Sequence, residues 1–246
     1  MIVAAPVLGI LEAGENRPEL TARHGTYVDF FKRYFGQHDG TLTFKAFAVF
    51  RGELPIAAKQ CDGYIVTGSR HSAYDDFTWI ADLKAFVRDT SEVRPVLGIC
   101  FGHQIIAEAF GGEVAKSPKG WGVGIHDYAI YESRRWMDPR SDILSLIASH
   151  QDQVTVPPPA ATVLAGSAFC PIGMMEIGEH ILTLQSHPEM TKPFAAELYA
   201  ARRKHIGEEQ VADAVASLEK ETNEDVAAEW LLDFFYRDVV ASATGG

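Results

Sequence analysis

The chain contains few cysteines, and no long apolar run. Its three cysteines, Cys61, Cys100 and Cys170, lack the spacing of a metal-binding CxxC pair. Their number is small and odd, which does not indicate a disulfide framework. No apolar stretch approaches the roughly 20 residues of a membrane-spanning helix. The opening run MIVAAPVLGIL favours a first buried strand over a signal peptide. We therefore expect a cytoplasmic protein without a membrane segment, and no metal or organic cofactor is implied.

Positive charge is also scarce. The chain has 33 acidic and 22 basic residues, which gives a formal net charge of −11. A phosphate backbone or an anionic membrane would be repelled on average, so nucleic acid and lipid are set aside as main partners. With 246 residues, of which 47% are hydrophobic, the chain can bury a sizeable core.

Strand and helix patterns alternate through the first half of the chain. The segment 19–36 has apolar residues at helical spacing and ends in a glycine, which predicts one helix. Further strands are predicted at 41–50, 61–69 and 94–100, and further helices at 78–90 and 101–112. Such alternation predicts an α/β fold with a doubly wound, mostly parallel sheet flanked by helices.

The pattern changes after residue 112. Short β-rich segments between 113 and 186 predict an extension of the same sheet, and helices follow from 191 to about 240. The aromatic segment EWLLDFFYRD (229–238) is interpreted as a core-facing helix, with a homodimer contact as the lesser alternative. The basic run RRKH (202–205) is interpreted as the cationic end of a helix. We expect a single domain over residues 1–246.

One cysteine lies where a strand meets a helix. In RPVLGICFGHQ, Cys100 has Gly98 and Gly102 two residues to either side. Small residues there allow a sharp turn that pushes the central side chain outward in a strained conformation. Backbone N–H groups at a helix N-terminus stabilise a thiolate and can bind the oxyanion of an attacked carbonyl. A lone cysteine is more often a packed thiol, which is the interpretation for Cys61 and Cys170.

A cysteine nucleophile needs a base and a group that orients the base. The segment LQSHPEM supplies His187 and Glu189 directly after an apolar strand, at the sheet edge where ligands bind in doubly wound folds. Alone, an H-P-E tripeptide is more often a surface turn. His103, three residues after Cys100, is interpreted as a structural helix residue because geometry, not closeness in sequence, selects a base.

Four motifs in order carry a family resemblance. GICFGHQ (98–104) followed by SHPEM (186–190) resembles the class I glutamine amidotransferases of the Cys-His-Glu triad type. GYIVTGS (63–69) is similar to the oxyanion loop of that family, and ASHQDQV (148–154) to its substrate loop. Within the family, the chain is similar to free-standing relatives of the GMP synthetase amidotransferase domain and to γ-glutamyl peptidases. The resemblance implies a flavodoxin-like fold.

The resemblance also implies a reaction. Cys100 would attack the γ-amide carbon of glutamine or a γ-glutamyl compound, with His187 as base and Glu189 orienting it. A γ-glutamyl thioester would form and be hydrolysed to glutamate, releasing ammonia or an amine. The N–H groups of Gly68 and Phe101 would form the oxyanion hole. The implied substrate-binding residues are Gln104, Ser149, His150, Gln151 and Asp152.

Three functions stay open at this point. The chain has no P-loop and no S-G-G-x-D-S pyrophosphatase loop, so it does not run an ATP-dependent synthesis alone. It is either a self-sufficient hydrolase, a glutaminase subunit that delivers ammonia to a separate synthetase, or a non-catalytic regulatory module. If His187 is the base, hydrolysis should fall as it protonates, below roughly pH 6–7. The residues do not identify the leaving group or the oligomeric state.

Overall fold

The computed structural model describes residues 5–244, with side chains described for 5–237. Its strands, in chain order, are β1 Val7–Leu11, β2 Thr43–Phe47, β3 Gly63–Val66, β4 Val96–Ile99, β5 Glu113–Lys116, β6 Gly122–Ile130, β7 Ile143–His150, β8 Asp152–Val156, β9 Ala161–Gly166, β10 Met174–Ile177 and β11 Ile181–Leu184. Its helices are α1 Pro18–His24, α2 Tyr27–His38, α3 Thr78–Ser91, α4 Phe101–Ala109, α5 Lys192–Ile206, α6 Glu208–Ser217 and α7 Glu224–Thr244.

One large sheet organises the described residues. Its nine strands run in the order β2-β1-β3-β4-β11-β10-β9-β6-β7. The first five are parallel to one another, and the remaining pairings are antiparallel. The doubly wound, mostly parallel sheet flanked by helices is confirmed. The β-rich segments after residue 112 do extend that sheet, except that β5 and β8 pair separately as a two-stranded ribbon.

The central parallel strands are apolar on both sides because helices cover both faces of the sheet. All four residues of β3, β4 and β11 are buried. Along β3, Ile65 packs into a cluster with α2 and α7, while Tyr64 and Val66 pack into a second cluster with α3 and α4. This alternation is the period-two pattern of a strand. Trp230 and Phe234 of α7 are at most 1% exposed, so the core-facing interpretation of that segment is confirmed.

The single helix expected over 19–36 is wrong. The chain breaks at Gly25, whose φ is 95°, and α2 starts anew at Tyr27. Thr26 and Asp29 form a capping box, in which the Asp29 N–H donates to the Thr26 hydroxyl and the Thr26 N–H to the Asp29 carboxylate. The apolar spacing continues through the break, whereas the T-x-x-D pattern marks the new helix start. Gly36 does not end the helix, which continues to His38.

The carboxyl ends of the central parallel strands meet at one edge of the sheet, and the loops that leave them surround Cys100. The Cys100 N–H donates to the Leu184 carbonyl at 2.8 Å, which ties the end of β4 to the end of β11. Ligands bind at this edge in doubly wound sheets. No helix among residues 5–244 is both long and apolar enough to cross a membrane.

Candidate active site

Cys100 sits on a strained turn between β4 and α4. Its φ of 54° and ψ of −99° make it the one non-glycine residue at positive φ in the described chain. Backbone strain of this kind clusters at functional sites. The flanking glycines permit the turn, since a Cβ on Gly102 would lie 2.3 Å from the Val66 carbonyl oxygen and one on Gly98 would lie 2.7 Å from the Gly102 oxygen. The sequence therefore specifies this turn through close backbone contact.

His187 and Glu189 form a buried pair. The His187 Nδ1 and the Glu189 Oε1 are 2.7 Å apart, and their side chains are 3% and 1% exposed. The backbone N–H of His187 donates to the Ile147 carbonyl at 2.8 Å, and this bond fixes the loop after β11 against β7. The second carboxylate oxygen of Glu189, Oε2, is buried without a hydrogen-bond partner in the described part of the chain. The carboxylate therefore acts on the imidazole through a single oxygen.

The charges around His187 control its protonation. Burial alone would lower the pKa of His187, but the Glu189 carboxylate and the nearby Cys100 sulfur raise that pKa to about 10. With Nδ1 engaged by Glu189, the other ring nitrogen is left for the sulfur. The two charges therefore favour the protonated form of the imidazole. A raised pKa argues against a fall in hydrolysis below pH 6–7 and shifts the expected pH dependence to higher pH.

Gly68 and Phe101 both adjoin Cys100. A Cβ on Gly68 would lie 3.0 Å from His187 Cε1 and 3.8 Å from Cys100 Cβ, so the Gly68 backbone lies beside both side chains. The Thr67 hydroxyl accepts from the Ala13 N–H and donates to the Gly68 carbonyl, both at 3.0 Å, and so holds this loop in place. Phe101 is the first residue of α4, where a backbone N–H has no acceptor within the helix. The backbone of Gly68 and the first residue of α4 therefore both lie next to Cys100.

The residues expected to bind substrate surround one cavity of about 370 Å³, which also includes Cys100. We call it the cysteine-side cavity. Gln104 donates through Nε2 to the Asp152 carbonyl at 2.8 Å and to Gln185 at 3.1 Å, so it also supports the 149–152 loop. The Asp152 carboxylate accepts from the Ser72 hydroxyl at 2.6 Å. The predicted residues that line this cavity are Gln104, Ser149, His150, Gln151 and Asp152.

Three arginines line the same cavity and were not predicted. Arg202 donates to the Ser149 hydroxyl at 3.1 Å, and its guanidinium lies 5.7 Å from the centre of the Trp121 ring. The interpretation of residues 202–205 as the cationic end of a helix missed this contact. Arg17 and Arg70 lie on loops at the same edge of the sheet. No motif marks them, although Arg70 directly follows the GYIVTGS loop.

A second cavity, of about 350 Å³, lies on the other side of the histidine. Its lining includes His187, Glu189, Tyr34 and Gln37 but not Cys100, and we call it the glutamate-side cavity. Conversely, neither His187 nor Glu189 is among the residues that line the cysteine-side cavity. The sulfur therefore adjoins one cavity, and the buried pair adjoins the other.

Other histidines and cysteines are engaged elsewhere. The His103 Nδ1 pairs with the Thr183 hydroxyl at 2.8 Å, and burial lowers the pKa of His103 to about 3. Burial raises the pKa of the Cys170 thiol to about 12 and also raises that of Cys61. These groups are structural, as their sequence contexts indicated. Across the described residues, no three His, Cys, Asp or Glu side chains are arranged to hold a metal ion.

Comparison with known proteins places this geometry in a family. The model of the class I glutamine amidotransferase family matches residues 41–202, well over half of the chain. Gamma-glutamyl peptidase 3 of Arabidopsis thaliana is 33% identical over 71% of this chain and 73% of its own length. One subunit of a glutamine-hydrolysing GMP synthase from Methanoculleus marisnigri is 38% identical over 39% of this chain and 53% of its own. The chain belongs to the class I glutamine amidotransferases.

Solved structures agree with the fold. A glutamine amidotransferase from Thermotoga maritima superposes with a TM-score of 0.74 at 17% identity, covering 96% of this chain and 98% of the other. A glutamine amidotransferase from Methylobacillus flagellatus superposes with a TM-score of 0.71 at 22% identity, and the match covers 96% of each chain. At these identities the likeness concerns the fold. The family and the peptidase relatives support a hydrolase activity.

Proposed function

We propose that the protein hydrolyses the γ-amide of glutamine or of a γ-glutamyl compound through a γ-glutamyl thioester on Cys100. The observation that carries the proposal is the buried His187–Glu189 pair, 2.7 Å apart, beside a cysteine held on a strained turn. A nucleophile, a base and an orienting carboxylate are the parts that cysteine hydrolysis needs. Family membership and the peptidase relatives support this choice of reaction.

Each of these groups takes part in the proposed reaction. His187 holds the proton of the thiol, and the Cys100 sulfur attacks the γ-carbonyl carbon. The N–H groups of Gly68 and Phe101 stabilise the negative oxygen that develops there. The carbon–nitrogen bond then breaks, and His187 gives its proton to the departing amine. In the acyl-enzyme the sulfur no longer carries negative charge, so His187 binds a proton less tightly and can activate water for hydrolysis to glutamate.

The 149–152 loop is suited to the glutamyl end of the substrate. Ser149 and Asp152 face the cavity that contains Cys100, and the loop is held there by Gln104 and Ser72. Arg202, fixed by Ser149 and Trp121, supplies a positive charge next to this loop. A guanidinium is well matched to an α-carboxylate. We assign the α-amino and α-carboxylate groups of the glutamyl moiety to this part of the cavity.

A second candidate is a glutaminase subunit that passes ammonia to a separate synthetase. The likeness to the GMP synthase relative favours it, although that likeness covers 39% of this chain. Two of the peptidase relatives cover 71% and 80% of this chain, which favours hydrolysis without a partner. A non-catalytic module would not need Cys100 at positive φ beside a buried histidine.

Purified protein incubated with glutamine and with γ-glutamyl dipeptides tests the proposal. We expect partner-free release of glutamate and, in quenched samples, a mass increase of one glutamyl group on Cys100. Cys100→Ala should lower turnover by about 10⁴-fold or more and abolish the adduct. Cys170→Ala is the matched control, because its thiol is buried and structural. Turnover that appears only with a synthetase would select the second candidate, and turnover by the Cys100→Ala protein would refute the mechanism.

A further inference from the structure

A third cavity adjoins the cysteine-side cavity. It has a volume of about 770 Å³, and we call it the outer cavity. The two cavities share Arg17, Arg70 and Arg202, which we call the arginine rim. The outer cavity is lined beyond this rim by apolar side chains such as Phe50 and Leu198. A molecule bound at Cys100 can therefore extend past the rim into a space about twice as large.

Two of the three arginines of the rim have no side-chain partner in the described part of the chain. Within residues 5–237, the side chains of Arg17 and Arg70 make no hydrogen bond or ion pair. Two carboxylates line the outer cavity: Glu15 is already paired with Arg51 at 3.0 Å, and burial raises the pKa of Glu12, which disfavours its charged form. In a chain of net charge −11, two unpaired arginines beside a nucleophile are a local exception. They are arranged to receive an anion from outside.

We propose that Arg17 and Arg70 of the arginine rim bind a carboxylate on the leaving group, so that the preferred substrates are γ-glutamyl amino acids or short γ-glutamyl peptides. This inference rests on the proposed function. The glutamyl half occupies the 149–152 loop, and the departing amine crosses the rim into the outer cavity. Arg17 and Arg70 contact its carboxylate, since guanidinium groups form strong paired hydrogen bonds with carboxylates. Ammonia released from glutamine would use neither the rim nor the outer cavity.

The rim takes no part in bond making. The sulfur bonds to the γ-carbon, the carbon–nitrogen bond breaks, and His187 protonates the amine. The product leaves as an amino acid or peptide with its carboxylate unchanged, and water then restores the thiol and yields glutamate. The arginines thus act before and during amide cleavage, when the carboxylate is still attached. Hydrolysis of the thioester takes place after the leaving group and its carboxylate have departed.

A matched pair of substrates tests the inference. γ-Glutamyl-alanine and γ-glutamyl-alaninamide differ in whether the leaving group ends in a carboxylate or a neutral amide. We expect kcat/KM for the carboxylate form to be higher by about tenfold. The double variant Arg17→Gln/Arg70→Gln should bring that ratio close to one. Because the two rates are compared within each protein, partial misfolding does not alter the ratio.

The control variant removes the same charge elsewhere. Arg23→Gln/Arg203→Gln also deletes two arginines, from exposed positions where they pair with Glu197 and Glu208. It should keep the wild-type ratio, which separates local recognition from a change in overall charge. Arg202 is left intact because it also holds Ser149. A ratio that falls equally in both double variants would overturn the assignment to the rim.

The inference and the proposed function fail in different ways. Wild-type protein that cleaves both substrates at equal kcat/KM, with a glutamyl adduct on Cys100, would overturn the carboxylate rim and leave the hydrolase standing. Protein that cleaves neither substrate nor glutamine and forms no adduct would overturn both. Calorimetric binding to the Cys100→Ala protein gives a second readout, in which γ-glutamyl-alanine should bind about tenfold more tightly than the amide.

Discussion

Cys100 and Glu189 are both buried, yet they belong to opposite sides of the same site. The sulfur opens into a cavity rimmed by arginines, whereas the carboxylate adjoins a cavity that does not contain Cys100. The cysteine side depends on a strained turn and on close backbone contacts. The glutamate side depends on one buried hydrogen bond and its charge. We expect substrate to be recognised on the cysteine side and the protonation of His187 to be controlled from the glutamate side.

Replacing Glu189 tests the glutamate side and should lower activity more than the changes at Gly102 or in the cavity walls. Glu189→Gln keeps the shape of the side chain but removes the charge that raises the pKa of His187. We expect kcat/KM to fall by about 10³-fold, because an orienting carboxylate sets both tautomer and charge. The fall in kcat/KM is measured from the rate of hydrolysis of glutamine or a γ-glutamyl dipeptide at low and at saturating substrate concentrations.

The pH dependence of kcat/KM distinguishes the charge of Glu189 from the shape of its side chain. In the wild type, a His187 pKa of about 10 keeps the imidazolium that protonates the leaving amine, so kcat/KM should stay level from pH 6 to 8 and fall only as pH approaches 10. In Glu189→Gln the pKa of His187 drops, so this fall should begin at a lower pH. Glu108→Gln, whose carboxylate pairs with Lys84, should keep the wild-type profile. An unshifted alkaline fall in Glu189→Gln would contradict the role given to its charge.

Gly102→Ala tests the cysteine side, with a smaller effect. Its new Cβ would lie 2.3 Å from the Val66 carbonyl oxygen, so the start of α4 must move away from β3. We expect the free energy of unfolding to fall by about 1–3 kcal/mol. A displacement near 1 Å at the nucleophile should lower kcat/KM by about 10²-fold. Denaturant unfolding and steady-state kinetics measure the two changes.

Gly36→Ala is the control for that substitution. Gly36 lies within α2, and a Cβ there would meet nothing within 4 Å. Because alanine favours a helix over glycine, this variant should be unchanged or more stable by up to about 1 kcal/mol. Wild-type activity in the Gly102→Ala protein would show that the turn does not need a glycine there.

Local signals in the sequence were enough to select Cys100, His187 and Glu189 as the catalytic candidates. G-x-C-x-G specifies a sharp turn within five residues, and SHPEM places a histidine and a glutamate at the end of a strand. The alternation of strands and helices was enough to predict the sheet. The break at Gly25 was missed because the apolar spacing continues across it.

Long-range features could not be predicted. Arg17, Arg70 and Arg202 are far apart in sequence, and each alone is typical of a solvated surface. Only the packing of α1, the loop after β3 and α5 around one edge of the sheet brings them together. The pKa of His187 likewise depends on burial, which the tripeptide H-P-E does not encode. Charge and cavity shape arise from tertiary structure, whereas the turn arises from the sequence itself.

The two cavities themselves can be compared with one bulky side chain placed in each, and these effects should be the smallest. Gln151→Trp reduces the cysteine-side cavity, and Gln37→Trp reduces the glutamate-side cavity. We expect Gln151→Trp to raise KM by about tenfold, since a blocked subsite removes binding of the substrate. Gln37→Trp should change KM by no more than about twofold, because Gln37 is exposed and Cys100 does not line the glutamate-side cavity. If Gln37→Trp raised KM and Gln151→Trp did not, substrate would approach His187 from the glutamate side, and the arginine rim would lie on the wrong face to receive the leaving group.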